Sequence, residues 1–220
     1  MTLIWSSLQP LGGGNLSVRV YQALREGLIA GKFHPGQRLV MQELANAFGT
    51  SVTPVREACL RLVSEDGLEL RSGRFAMVPH ATLPRYVEIR TIRIALEGLA
   101  AELACRHAKK SDIERLTQVQ RRFEIAEKAG DAEAAARENR DFHFAVYRLS
   151  GLSILINQIE DMWVIMGPIL HMYYSDMHSG YAGAEEHNHL IEALARRDPA
   201  AARAAIEQDI LRAASLLSTP

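Results

Sequence analysis

Cysteine is almost absent from this chain: Cys59 and Cys105 are the only two in 220 residues, and neither belongs to a C-x-x-C pair. A disulfide framework is thereby excluded, and Cys59, spaced among apolar residues, reads as a reduced core thiol rather than a redox or metal group. Long apolar runs are missing too, none approaching the 18 residues of a membrane span. The uncharged opening "MTLIWSSLQPLGGGN" lacks the basic start of a secretion signal. These absences together point to a cytoplasmic protein. Neither sign of charge prevails, with 25 Lys+Arg against 26 Asp+Glu, so composition alone does not mark a nucleic-acid binder. What remains, 48% apolar and 23% charged, is a globular composition with enough length for one large or two small domains.

The balance is uneven along the chain. Residues 15–79 carry 8 Lys+Arg against 6 Asp+Glu, net +2, and residues 80–220 carry 17 against 20, net −3. The positive part contains "TSVTPVREACLRL", residues 50–62. Proline is accepted in a first helical turn, so Thr53 reads as N-cap and Pro54 as the first helical residue. Val55, Ala58, Cys59, Leu62 and Val63 then mark one buried face, with Arg56 and Arg61 pointing away from it. A helix that starts sharply and carries arginine near its N-terminus suits an anion.

Upstream, "NLSVRVYQALREGLIAG" reads as a helix capped by Ser17, with Val18, Tyr21, Leu24 and Leu28 on its inner face. "MQELANAFG" gives a second helix. Downstream, "LELRSGRFAMVP" reads as two strands around a Ser72-Gly73 turn, flanked by Arg71 and Arg74. Three helices and a basic hairpin make a winged helix-turn-helix over residues 15–79, preceded by residues 1–14 as a flexible leader. From residue 80 to 220 the pattern is helical throughout, six segments separated by polar turns, which predicts an antiparallel all-helical bundle and a mainly α protein. The stripe Ile89, Ile92, Leu96, Leu99 and Leu103 marks the expected inner face of the first of these helices.

The Ile29-Ala30-Gly31 and Pro35-Gly36 turns, the "ELA" of the second helix and "TPVREA" together resemble the DNA-binding domain of GntR-family bacterial transcription regulators. The resemblance implies double-stranded operator DNA as partner, with Gln42, Thr53, Arg56, Arg61, Arg71, Gly73 and Arg74 as its contacts. The family commonly has arginine before "ELA" and before "TPVRE", where this chain has Gln42 and Val52. Glutamine suits adenine and valine makes only apolar contact, so the operator is expected to depart from the common family half-site. Arg19, Arg38, Arg71 and Arg74 are alternatives that would hold phosphates and leave base preference little changed.

Arg93, Leu96 and Glu97, the pair Phe142-His143, and "EHNHLIEALARRD" from Glu186 to Asp198 resemble the FCD domain that accompanies one subfamily, in its smaller, six-helix form. That resemblance implies a homodimeric, ligand-responsive regulator, commonly a repressor. It also implies a divalent metal of zinc or nickel type held by Asn139, His143, His187 and Asp209, with Asp209 where the family has a third histidine. Arg93 is the expected partner of a small carboxylate effector, with an i to i+4 pair to Glu97 as its alternative. His171 and Asp141 are further pocket residues, and His189 lies on another face from His187. Leu152 stands where the family tends to carry asparagine. A metal-responsive regulator and an all-helical metalloenzyme are the competing readings. The second leaves the arginine helix without a purpose and finds no separate nucleophile or general base.

Overall fold

The computed structural model describes residues 15–175 and 183–212. Residues 1–14, expected as a leader, lie outside the described residues, as does the expected end of the last helix beyond residue 212. The chain groups into two compact units, one of residues up to Thr82 with Trp163–His171, the other of Leu83–Met162 with the residues from Met172 onward. Mainly helical throughout, it has the expected order of a winged helix-turn-helix followed by a helical domain.

In the first unit, α1 (Leu16–Ile29) is capped by Asn15, not Ser17. The Asn15 carboxamide oxygen accepts the Ser17 N–H at 3.2 Å and its hydroxyl at 2.8 Å. The capping side chain thus sits two residues earlier than expected, and Val20 replaces Val18 on the buried face. Strand β1 (Arg38–Val40) leads directly into α2 (Met41–Phe48), which stops at Gly49 with φ 63°, a left-handed position suited to glycine. Helix α3 (Val52–Ser64) begins with Ser51 at the N-cap position, so Thr53 and Pro54 lie inside its first turn. Every N–H of that turn lacks an intrahelical acceptor, so proline fixes the start only to within a turn.

The wing consists of β2 (Glu69–Ser72) and β3 (Phe75–Met77), and β1 completes a sheet of order β1-β3-β2. Both pairings are antiparallel, with Leu39 and Leu70 each opposite Ala76. The turn is Gly73-Arg74, one residue later than expected, because Ser72 pairs with Phe75 and its hydroxyl accepts the Arg74 N–H at 3.1 Å. Strand β1 is too short for alternation to reveal. Leu24, Leu28, Leu44, Val55, Cys59 and Leu62 are completely buried in one core. Burial pushes the Cys59 thiol up to about 11, consistent with an inert core thiol.

The second unit contains α4 (Leu83–His107), α5 (Lys110–Ala129), α6 (Ala132–Arg148), α8 (Gly183–Arg196) and α9 (Pro199–Arg212), while α7 (Ser153–Ser175) is divided, its residues Trp163–His171 grouping with the first unit. Helix α4 packs on α9 and α6, and α8 packs on α9 and α5. The inner face of α4 is not the leucine stripe. Tyr86, Ile89, Arg93, Glu97, Ala100 and Ala104 are buried, while Ile92 and Leu99 are 40% and 37% exposed. Small alanines let neighbouring helices approach closely, so the bulky residues turn aside. No described helix is long and apolar enough to cross a membrane.

Leu62, with no exposed surface, anchors α3 in its core. Leu62→Ala is expected to lower stability by about 2–5 kcal/mol in a urea titration of the full chain. An unchanged midpoint would show that the site collapses around the missing atoms.

Candidate functional site

Two sites emerge, one on each unit. On the first, Gln42, Thr53, Arg56, Arg71, Gly73 and Arg74 are all exposed. Two hydrogen bonds gather α2, α3 and the wing. The Arg56 guanidinium donates to the Gly73 carbonyl, and the Met41 N–H at the start of α2 donates to the Arg74 carbonyl at 3.0 Å. Gln42 therefore follows directly on a residue bonded to the wing turn, and its Nε2 donates to Asn46 Oδ1 at 3.0 Å. Arg71 pairs with Glu69 on the wing, and Arg38 lies over the Phe75 ring at 3.8 Å.

Arg61 does not join this surface. Five residues along a helix rotate it about 140° from Arg56. Its guanidinium lies 3.7 Å over the Tyr21 ring and bonds Glu65 at 3.2 Å, while Tyr21 donates to the same carboxylate. These contacts fasten α3 to α1. Val52 likewise packs against the core rather than standing free for a base.

In the second unit, α6, α8 and α9 bring His143, His187 and Asp209 together. The His187 and His143 Nε2 atoms stand 3.3 Å apart, and His143 Nε2 is 3.3 Å from Asp209 Oδ2. All three side chains are buried. Asn139, one turn before His143, is 5% exposed, and its Oδ1 has no hydrogen-bond partner.

The outer nitrogens are engaged elsewhere. Gln120, from α5, donates Nε2 to the Ala184 carbonyl and to Glu124, both at 3.0 Å, so its Oε1 must be the atom 2.7 Å from His187 Nδ1. His187 Nδ1 therefore carries the hydrogen. On the other side, Arg93 donates to Glu97 through Nε at 2.6 Å and through Nη2 at 3.2 Å. The Glu97 carboxylate accepts the Tyr147 hydroxyl hydrogen, which leaves Tyr147 Oη to accept from His143 Nδ1 at 3.0 Å. Both imidazoles thus turn their Nε2 atoms inward, towards each other and, from His143, towards the Asp209 carboxylate bonded to it. Burial, with His143 beside it, pushes His187 down to about 3 against the opposing pull of Asp209. It is an unprotonated base at neutral pH.

Acceptors gathered in this way call for a cation. Donor atoms held at about 2.0–2.1 Å from a tetrahedral zinc ion are about 3.3 Å apart, which matches the two separations here. The orphaned Asn139 oxygen, on the same helical face as His143, fits the same need. These four residues are suited to hold a divalent ion, which would supply a Lewis-acidic position open to an anionic ligand.

The other expectations divide. Arg93 is buried and bidentate on Glu97, so the alternative pairing is the one realised, in the interior and not on a surface. Asp141 is exposed beside Arg140, facing away from His143, and lines a shallow groove with Arg115, Arg122 and Arg148. His189 is likewise outside the cluster, pairing with Glu186 at 3.4 Å. Leu152 is exposed, and the His171 side chain lies outside the described residues. Gln120 and Tyr147 went unnoticed in the sequence. Tyr147 had a signal, since Asn139, His143 and Tyr147 recur every four residues; Gln120 offered only a polar residue among Leu116, Val119 and Phe123.

The family model described as bacterial regulatory proteins, gntR family, matches residues 16–78, and that of the FCD domain matches residues 88–212. The chain belongs to the GntR family, in its FCD-containing branch. It is 38% identical over 160 residues to the HTH-type transcriptional regulator McbR of Escherichia coli strain K12, covering 73% of this chain and 72% of that one. A probable D-xylose utilization operon transcriptional repressor of Paenarthrobacter nicotinovorans is 32% identical over 180 residues, 82% of this chain and 79% of its own. The solved structure of E. coli McbR/YncC superposes with a TM-score of 0.86 at 32% identity, over 93% of this chain and 98% of that one. The chain is a DNA-binding transcriptional regulator and not an enzyme.

Arg61→Ala is expected to cost about 0.5–1 kcal/mol of stability through the lost ring stacking and ion pair. Its affinity for DNA from upstream of its own gene should stay as in the wild type. A selective loss of DNA binding with an unchanged melting temperature would return Arg61 to the DNA-contacting set.

Proposed function

We propose that this regulator is a homodimeric repressor, that its FCD domain is the smaller, six-helix form, and that a divalent ion at Asn139, His143, His187 and Asp209 receives a small carboxylate effector. The observation that carries the reading is the 3.3 Å spacing of inward-facing acceptors, in a unit attached to a DNA-binding domain. Two imidazoles, a carboxylate and an amide oxygen suit a first-row ion such as zinc or nickel. The repressor reading is supported by the printed name of the Paenarthrobacter relative. The half-exposed Ile92 and Leu99 on α4 offer an apolar face for a second copy. A dimer reads two half-sites, so effector binding need only alter the separation of the two recognition helices to change operator affinity.

Arg56, Gln42, Thr53, Arg71, Gly73 and Arg74 form the proposed DNA surface, with Arg56 the base reader and the wing arginines on phosphates. The Nε and Nη2 edge of Arg93 is already taken by Glu97, which favours the ion as the anchor of an effector carboxylate. The second reading, in which the ion itself is the signal, rests on the same cluster. Dialysis against chelator separates the two: a carboxylate sensor loses its response to organic acids, and a metal sensor changes its DNA affinity with zinc alone.

Titration of DNA from upstream of its own gene should give a specific complex whose affinity falls steeply with salt. Arg56→Ala should weaken it by about 1–3 kcal/mol. Unchanged binding would remove Arg56 from the contacts.

A further inference from the structure

We propose that Gln120 and Tyr147 are the positioning residues of the buried cation site, and that the Arg93–Glu97 pair serves as the anchor of Tyr147 and not as an effector receptor. This rests on the metal reading above but concerns different residues. A histidine ligand presents a lone pair only if its hydrogen is held on the other nitrogen. Each imidazole here has its own device for that.

For His187 the device is Gln120. Its amide is oriented by two acceptors, the Ala184 carbonyl and Glu124, so it can offer only oxygen to His187 Nδ1. Phe142 stacks on the same imidazole at 4.1 Å and fixes its plane. For His143 the device is a relay. Arg93 orients Glu97, Glu97 takes the hydroxyl hydrogen of Tyr147, and the phenol oxygen is left as an acceptor for His143 Nδ1. Arg93, Glu97, Gln120, His143 and His187 are each 4% exposed or less, so water does not supply these bonds. The relay also explains why α4 buries an arginine and a glutamate on a face whose other buried residues carry no charge.

The experiment uses the full chain stripped with chelator, titrated with cobalt(II) by visible absorption and chelator competition. Histidine tautomers are read from long-range 1H–15N spectra of the metal-free protein. The wild type should bind cobalt, with His143 and His187 both protonated on Nδ1. Tyr147→Phe and Gln120→Leu should each weaken cobalt binding by about 10–100-fold. Tyr147→Phe should release the tautomer of His143 alone, and Gln120→Leu that of His187 alone, a signature that general loosening of the bundle would not give. Cobalt bound as tightly by both variants as by the wild type overturns the positioning roles and leaves the metal site standing. A wild type that takes up no cobalt overturns the metal reading, and the positioning proposal with it. Should either variant fail to fold, Nε2-protonated histidines in the wild type would by themselves overturn the proposal.

Discussion

Two imidazoles with their outer N–H groups committed to fixed acceptors have only lone pairs left to turn towards each other. In this protein they do so at 3.3 Å, with a carboxylate oxygen at the same distance. Buried acceptors facing one another are costly unless a donor or a cation lies between them. The polar interior of the second unit is organised around that cluster, because α4, α5, α6, α8 and α9 each contribute a group either to it or to the bonds that orient it.

The first unit meets a different constraint. A recognition helix is useful only if its arginine and the wing hold a fixed relation, and here the Gly73-Arg74 turn supplies both carbonyls that fix it. One accepts from Arg56 and the other from the start of α2. The free protein therefore keeps Arg56, the proposed base reader, folded onto the wing instead of extended into water. That spares side-chain entropy on DNA binding, at the expense of one bond to be exchanged for a base edge.

Local rules made much of this legible in the sequence. The helix starts and stops around Gly49 and Gly130, the i to i+4 relation of Asn139 and His143, and the hairpin all follow from spacing and turn chemistry. Errors came where tertiary packing decides. Ser17, Thr53 and Pro54 were each consistent with more than one helix start, and only the backbone chose among them. The leucines of α4 outweighed its alanines in the pattern, although close helix packing selects the alanines. Gln120 meets His187 across 67 residues of sequence, a separation at which no periodicity carries information. Arg61 has the same residue type and the same helix as Arg56, and it is the turn of the helix between them that brings it to the Tyr21 ring and Glu65 instead of the wing.

Arg93 shows how one residue type admits two opposite readings. A lone buried guanidinium invites a ligand carboxylate, yet a buried ion pair is retained only where its remaining bonds are also satisfied. Glu97 meets that condition by accepting from Tyr147 as well as from Arg93, so the pair is one end of a connected chain and not an isolated charge. A cation at the opposite end would satisfy the inward lone pairs and stabilise the folded unit by mass action, since the unfolded chain has no such cluster to bind it. Occupancy of the site and rigidity of the helices around it are then linked quantities. A ligand entering at the ion would act on the bundle through bonds already in place, with no need for a separate receptor residue.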